Sequence, residues 1–188
     1  MRLFTGIALG PAVLHKLTGV LAELQPLAKL NWSPVENLHI TTKFIGAWPP
    51  ERLEELKTAL AAVPFARAFE ITIARFGYFP NPHHPHSFFA GVDAPPELRE
   101  LAARIDEALL PLGIAKENRP FTPHLTLARV RTQDVRGLRR HIAQMTDFHF
   151  GTFTASTFHL YLSRPGPASS VYTSLAAYPA YVTAGLTA

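Results

Sequence analysis

The pattern of hydrophobic and polar positions predicts short strands and helices along the whole chain. Residues 2–9 alternate well enough for a strand, with Leu3, Thr5 and Ile7 on one face and Phe4 and Ala8 on the other. From Pro11, apolar residues recur at the 3.6-residue spacing of a helix. We interpret Asn31-Trp32-Ser33-Pro34 as a turn, and NLHITTKFIG, which ends at Gly46, as a strand rich in β-branched residues.

The rest of the chain continues in the same way. We predict helices over 50–62, 95–110 and 134–145, and strands over 69–79, 87–93, 123–130, 148–163 and 170–178, of which 148–163 holds one or two. Each half of the chain contains a strand that begins His-aliphatic-Thr and is followed by a helix. The two histidines, His39 and His124, are 85 residues apart, as in two copies of one half-domain. Adjacent strands mixed with helices predict an α+β fold with antiparallel sheets.

Composition narrows the class of protein. The chain has 188 residues, which suits one domain, and we predict a single bilobal domain over 1–188. The absence of cysteine excludes disulfide scaffolds, thiolate metal sites and cysteine nucleophiles. The net charge of +4 allows an anionic substrate without requiring nucleic acid. No segment approaches the roughly 18 apolar residues of a membrane span, so we expect a cytoplasmic monomer with no membrane partner.

Two short motifs carry the candidate chemistry: His39-Ile40-Thr41-Thr42 and His124-Leu125-Thr126-Leu127, at 39–42 and 124–127. Side chains two residues apart on a strand share a face, so each histidine projects beside a threonine hydroxyl. If the two halves face each other, both pairs line one cleft. Two imidazoles can supply a base and an acid on opposite sides of a phosphorus atom, and two hydroxyls can hold its non-bridging oxygens.

These motifs and their flanks resemble the 2H phosphoesterase superfamily, whose mark is a pair of His-x-Thr-x motifs. More narrowly, the chain resembles the bacterial and archaeal RNA 2′,3′-cyclic phosphodiesterases, also called 2′-5′ RNA ligases. The resemblance extends through nearly the whole chain. It is carried by Arg2-Leu3-Phe4, Glu36-Asn37-Leu38-His39-Ile40-Thr41, Lys43-Phe44-Ile45-Gly46, the run from Arg119 to Arg129, and Leu160-Tyr161-Leu162-Ser163.

The resemblance implies two pseudo-symmetric lobes, each an antiparallel sheet with helices outside, around a central cleft. It implies hydrolysis of a terminal 2′,3′-cyclic phosphate on RNA or a nucleotide to a 2′-phosphate, and a reverse, ATP-independent 2′-5′ joining reaction. In this family's order, His39 is the general acid and His124 the general base. Thr41, Thr126 and Arg129 bind phosphate. We expect no metal and no cofactor. Strict alternation puts Arg129 on the face opposite His124, so phosphate binding by Arg129 requires the strand to end or bulge before it. Arg131 is the alternative candidate for this phosphate contact.

Several other residues carry weaker hypotheses. The histidines of NPHHPH, His83, His84 and His86, are interpreted as a solvated loop at the rim of the cleft rather than a metal site. Of the aromatic residues Phe44, Phe121 and Tyr161, most are expected in the core, and one stacks a base. Another hypothesis is that the basic helix face of Arg136, Arg139, Arg140 and His141 contacts an RNA backbone.

Two other functions remain open at this point. One is a 2H phosphodiesterase for another small cyclic or 2′-5′-linked nucleotide, because the motifs are shared by all such enzymes. The other is an RNA-binding module without catalysis, which the two intact motifs argue against. Turnover of a 2′,3′-cyclic mononucleotide in the presence of EDTA distinguishes the last from the first two.

Overall fold

The computed structural model describes residues 1–131, 134–166 and 169–181. Strands and helices follow the order that the sequence predicts, with one addition. They are β1 (Arg2–Ala8), α1 (Pro11–Leu24), β2 (Asn31–Trp32), β3 (His39–Ala47), α2 (Leu53–Ala61), β4 (Phe69–Phe79), β5 (Ser87–Asp93), α3 (Pro96–Leu109), β6 (His124–Arg129), α4 (Arg136–Ile142), β7 (His149–Ala155), β8 (Thr157–Pro165) and β9 (Ser170–Pro179).

The strands form two antiparallel sheets. The first sheet has the order β3-β1-β8-β9, and the second has the order β2-β6-β5-β4-β7. The sheets meet where β3 lies against β6, so the two strands that carry the His-x-Thr-x motifs are neighbours from different sheets. The predicted α+β class with two antiparallel sheets is confirmed. That residues 1–188 form a single domain stays a prediction, because residues 182–188 lie outside the described part.

The addition is β2. We expected a turn over residues 31–34, but Asn31 and Trp32 pair with Arg129 and Ala128 of β6. The expectation was wrong because the turn signal of Asn31, Ser33 and Pro34 is local, whereas the partner strand lies almost a hundred residues later. The indole of Trp32 packs edge-on against the buried ring of Phe88, with ring centroids 5.9 Å apart, and this contact favours the extended conformation.

Each sheet is built from both halves of the chain. The unit β1-α1-β3 corresponds to β5-α3-β6: in both, a helix joins two strands that pair antiparallel, and the second strand begins with the motif histidine. After the first unit, β4 crosses to the second sheet; after the second unit, β7 stays in the second sheet and β8 crosses to the first. Thus β4 pairs with β5, and β8 pairs with β1. The two lobes are therefore interlaced, and neither is a contiguous half of the sequence.

The helices bury one apolar stripe each against the sheets. In α1 the buried residues are Val13, Leu17, Leu21 and Leu24, and in α3 they are Leu98, Leu101, Ala102, Ile105 and Leu109. Helix α1 contacts β7 of the second sheet, and α3 contacts β3 of the first. None of the helices described is long and apolar enough to span a membrane.

Both motif strands bulge at the same place. In β3, Thr41 pairs with Gly6 and Lys43 with Thr5, so Thr42 is an extra residue. In β6, Thr126 pairs with Phe89 and Ala128 with Phe88, so Leu127 is an extra residue. A bulge places two successive residues against one partner residue and shifts the alternation of faces. The fourth residue of each motif is therefore the bulged one.

The bulges decide which side chains are buried. Thr42 and Lys43 are both buried in β3, as are Leu127 and Ala128 in β6. The Thr42 hydroxyl shares a hydrogen bond of 2.7 Å with Thr5, which is also fully buried.

The ammonium group of Lys43 reaches α3. It lies 2.6 Å from Asp106 Oδ1 and donates to the Ala115 carbonyl at 2.7 Å. An ion pair with so little exposure requires both partners, because removal of either one leaves an uncompensated charge. Lys43 thereby connects the first motif strand to the segment that leads into the second motif.

We predict that the Thr5–Thr42 hydrogen bond behaves as a buried pair. Thr5→Val alone should lower the free energy of unfolding by about 1–3 kcal/mol, because it leaves the Thr42 hydroxyl without a partner. The double variant Thr5→Val/Thr42→Val should cost less than the sum of the two single variants, as measured by urea unfolding.

The exposed pair Thr72 and Thr152, also 2.7 Å apart, gives the matched control. Thr152→Val should change stability by less than about 0.5 kcal/mol. Additive costs for Thr5 and Thr42 would contradict the predicted pairing.

Candidate active site

The two motif histidines are held in the same way. His39 and His124 each begin their strand, and each imidazole bonds to the carbonyl two residues earlier in the chain. His39 Nδ1 donates to the Asn37 carbonyl at 2.7 Å, and His124 Nδ1 donates to the Thr122 carbonyl at 2.8 Å. A carbonyl only accepts, so Nδ1 carries the proton in both neutral rings. Nε2 is then the atom that takes up or releases a proton in each ring.

The threonines lie on the same face as their histidines. Thr41 Oγ1 is 3.0 Å from His39 Nε2. In the second motif, Thr126 and His124 lie opposite Phe89 and Gly91 of β5, two residues apart on one face. We call the face that carries these four side chains the cleft face of each sheet.

The two motifs also influence each other electrostatically. Burial lowers the pKa of His39 from its ordinary value, the bond to Asn37 opposes that shift, and the charge of His124 lowers the pKa further. Like charges in proximity disfavour protonation of both groups at once, so a charge on His124 opposes protonation of His39. The contact of β3 with β6 brings the two predicted catalytic histidines together.

The surroundings of the two rings differ. His39 lies on an aromatic floor: Phe4 stacks on it at 4.6 Å between ring centroids, Tyr172 meets it edge-on at 5.3 Å, and Tyr161 lies at 5.9 Å. Among the residues that the structure describes, the ring contacts of His124 are edge-on, from Phe79 at 5.0 Å and Phe89 at 5.6 Å. The ring of His39 is therefore the more desolvated, which explains its lowered pKa.

Gly6 makes room for this arrangement. A side chain at Gly6 would place its Cβ 2.9 Å from the Ile40 carbonyl oxygen and 3.2 Å from the His39 ring. Both contacts are tighter than packing allows. The glycine therefore lets the His39 ring lie close over β1, and it leaves the cleft face bare beside Thr41.

Arg129 reaches the cleft face because of the bulge at Leu127. It lies opposite Ser87 on β5, two residues before Phe89, and so on the same face as Thr126 and His124. Its side chain is exposed, and it makes no hydrogen bond or ion pair with the residues that the structure describes. The bulge that the sequence analysis required for Arg129 is thus present. Arg131 is exposed beyond the end of β6.

The exposure of Phe44 differs from what the sequence analysis expected for most of the three aromatic residues. Phe44 was expected in the core, but 60% of its surface is exposed, because it follows the bulge at Thr42 and pairs with Phe4 on the cleft face. Phe44 stands five residues after His39, as Arg129 stands five after His124. Tyr161 is partly buried and stacks on Phe4, with ring centroids 5.1 Å apart, and Phe121 is partly buried.

The histidine loop lies next to β6. The His86 carbonyl accepts a hydrogen bond from the Val130 N–H at 2.9 Å, which brings the loop to the end of the strand that carries Arg129. Among the described residues, no group of three or more histidine, aspartate or glutamate side chains is arranged to hold a metal. In the basic helix, Arg136 is paired with Asp134 at 2.7 Å.

The sequence analysis missed the aromatic floor. Phe4, Tyr172, Phe79 and Phe89 carry no motif of their own, and each is explained equally well by burial. Strand pairing alone brings Phe4 and Phe89 beside the histidines, since β1 pairs with β3 and β5 with β6. Alternation along residues 2–9 did place Phe4 away from the core-facing side of that strand, and this was the available signal.

Comparison with known proteins decides the family. Residues 11–167 match the model of the 2′-5′ RNA ligase superfamily. The chain belongs to this superfamily. The predicted resemblance to this family is confirmed.

Relatives with assigned names match nearly the whole chain. The RNA 2′,3′-cyclic phosphodiesterase of Archaeoglobus fulgidus is 30% identical over 175 residues, 93% of this chain and 98% of that protein. The protein of the same name from Methanocaldococcus jannaschii is 35% identical over 138 residues, 73% of this chain and 77% of that protein. A crystal structure from Thermus thermophilus is similar with a TM-score of 0.79 at 28% identity, covering 95% of this chain and 97% of the other.

We predict that the aromatic cover lowers the pKa of His39. In an NMR titration, His39 should titrate below 6.5, the ordinary histidine value. Tyr172→Ala should raise that pKa toward 6.5, because it opens one side of the ring to water.

Val171→Ala is the control, since Val171 precedes Tyr172 and is 52% exposed. It should leave the pKa of His39 unchanged. A His39 pKa that does not move in Tyr172→Ala would show that the tyrosine does not shield the ring.

Proposed function

We propose that this protein hydrolyses a terminal 2′,3′-cyclic phosphate on RNA, or on a nucleotide, to a 2′-phosphate. The observation that carries the proposal is the pair of imidazoles with Nδ1 tied to a backbone carbonyl, each next to a threonine, on strands that lie side by side. The names of the curated relatives support the same reaction.

The proposed chemistry uses four side chains of the two motifs. A neutral imidazole takes the proton of a water molecule as that water attacks phosphorus. An imidazolium on the other side gives a proton to the departing 3′ oxygen. The hydroxyls of Thr41 and Thr126 donate to the non-bridging oxygens, where charge builds up in the transition state. Thr41 already donates to Nε2 of His39 in the unliganded protein, so the phosphate replaces one acceptor with another.

Arg129 adds a fixed positive charge to this scheme. Its guanidinium has no partner among the described residues and lies on the cleft face with Thr126. A guanidinium binds two phosphate oxygens at once, which orients the ester as well as neutralising it. We propose that Arg129 binds the cyclic phosphate together with the two threonines.

The same centre can join strands when a 5′-hydroxyl replaces water as the nucleophile. The 5′ oxygen loses its proton to the base and bonds to phosphorus, the bond from phosphorus to the 3′ oxygen breaks, and the acid protonates that oxygen, so no nucleotide triphosphate is consumed. We propose RNA ends or nucleotides with a 2′,3′-cyclic phosphate as the partners of the site. The expectations of a monomer and of a cytoplasmic location remain predictions.

We assign the general acid to His39 and the general base to His124, in the order that the family resemblance implies. The lowered pKa of His39 means that its ring is mostly neutral at pH 7 in the free protein. A bound phosphate anion favours the imidazolium form, so the substrate itself supports the protonation of the acid. Hence the alkaline limb of kcat/KM, which reports the free enzyme, should lie at lower pH than that of kcat.

The proposed function is tested with an RNA oligonucleotide that ends in a 2′,3′-cyclic phosphate. The protein should convert it to the 2′-phosphate in the presence of EDTA, because the acid, the base and the oxyanion donors are all side chains. His39→Ala and His124→Ala should each abolish most of the turnover while circular dichroism stays unchanged. Activity that is lost on chelation and restored by a divalent ion would contradict the mechanism, and release of a 3′-phosphate would contradict the direction of opening.

The assignment of acid and base is tested with a nitrophenyl phosphodiester, whose leaving oxygen needs no proton. On this substrate His39→Ala should regain much of its lost rate, whereas His124→Ala should stay slow. The alkaline limb of the wild-type rate profile should disappear as well. The reverse pattern would exchange the two roles, and both limbs of the bell belong to the coupled pair rather than to one residue.

A further inference from the structure

A third histidine stands on the cleft face of the first sheet. His159 of β8 lies opposite Gly6 of β1, and Gly6 lies opposite Thr41 of β3. Directly opposite residues in antiparallel strands project from the same face, so Thr41 and His159 lie on either side of Gly6, over which the His39 ring packs. Two inter-strand spacings separate them, about 10 Å between Cα atoms. No side chain of β1 stands between them.

The hydrogen bonds of His159 define its free atom. The Ser174 hydroxyl donates to the Ala176 carbonyl at 3.4 Å, and His159 Nδ1 lies 3.1 Å from that hydroxyl oxygen. With its proton given to the carbonyl, the hydroxyl accepts from Nδ1. In the neutral ring, Nε2 is then an acceptor. Within residues 1–131, 134–166 and 169–181, this Nε2 has no hydrogen-bond partner.

The surroundings of His159 keep the ring neutral. Tyr161, on the same strand, lies with its ring 5.5 Å from the imidazole, and partial burial lowers the pKa of His159. No carboxylate of the described residues forms an ion pair with it. A neutral ring whose Nε2 carries a lone pair suits a hydroxyl donor and does not suit a phosphate, which has only acceptors.

The distance of His159 from the proposed phosphate site then indicates which hydroxyl of an RNA strand could reach it. In a strand whose cyclic phosphate lies at Thr41, the next ribose upstream is about one nucleotide step away, comparable with the separation of Thr41 and His159. That ribose has a free 2′-hydroxyl in RNA and none in DNA, whereas the terminal ribose has both hydroxyls closed in the cyclic ester.

We propose that His159 Nε2 accepts a hydrogen bond from the 2′-hydroxyl of the nucleotide that precedes the cyclic phosphate end. The ring with Ser174 forms a subsite that distinguishes RNA from DNA at that nucleotide. This inference rests on the proposed function, because it takes the phosphate site as the reference point for the strand.

The experiment compares two dinucleotides that both end in a ribonucleoside 2′,3′-cyclic phosphate and differ only in the first sugar, ribose or deoxyribose. The wild-type protein should have a kcat/KM about three- to tenfold higher for the ribose form, the range that one neutral hydrogen bond supports. In His159→Ala this ratio should fall to about one. Any effect of the substitution that is common to both substrates cancels in the ratio.

Two further variants sharpen the result. Ser174→Ala, at an exposed position, removes the group that holds Nδ1 and should lower the ratio without removing the ring. His149→Ala, an exposed histidine on β7 at the far edge of the second sheet, should leave the wild-type ratio intact.

A wild-type ratio near one, or a ratio that survives in His159→Ala, would overturn the subsite. If neither dinucleotide is hydrolysed, the proposed function fails. Calorimetric binding of the same two dinucleotides then decides on the subsite separately, with tighter binding of the ribose form supporting it and equal binding refuting it.

Discussion

The extra residue in each motif strand is the constraint on which the site depends. A regular strand would send every second side chain to the core, so a motif of His-x-Thr-x followed by more strand would have buried Arg129 and Phe44. The bulges at Thr42 and Leu127 absorb one residue each, bury the pair that follows Thr41 and Thr126, and return the next side chain to the cleft face. The proposed phosphate contact of Arg129 depends on that shift.

The same backbone device supports different chemistry in the two lobes. Five residues after the histidine, the first motif strand exposes the aromatic side chain of Phe44. At the same position, the second motif strand exposes the cationic side chain of Arg129. The histidines themselves sit in unlike settings, since Phe4, Tyr161 and Tyr172 surround His39. A reaction that needs one acid and one base needs two different imidazoles, and near-symmetric motifs with asymmetric neighbours supply them.

The interlaced topology fixes the distance between the motifs. Because β4 crosses to the second sheet and β8 to the first, each sheet contains strands from both repeats, and the chain connects the two sheets at several points. The ion pair between Lys43 and Asp106 adds a second link, from the first motif strand to the helix that precedes the second motif. A centre that relies on positioned side chains benefits from such rigidity, since small displacements cost much of the rate.

The sequence by itself determined a large part of this protein. Local patterns predicted the helices and nearly all strands, because the spacing of apolar residues reflects which side chains are buried. The apolar stripe of α1 and the alternation of β1 are examples. The repeated His-x-Thr-x spacing identified the family and placed four residues of the proposed site, because neighbours two apart on a strand share a face whatever the strand pairs with.

Only the tertiary structure decided what depends on partners distant in the chain. The pairing of Asn31 and Trp32 with β6, the bulges that turn Phe44 and Arg129 to the cleft, and the rings around His39 all arise between strands far apart in sequence. The position of His159 also depends on strand pairing, because no pattern in β8 itself distinguishes this residue. It shares a sheet face with Thr41 because both lie opposite Gly6 of β1, which is between them. Alternation predicts the two faces of a strand, but which neighbour lies across each face is a property of register, and register is set by the whole fold.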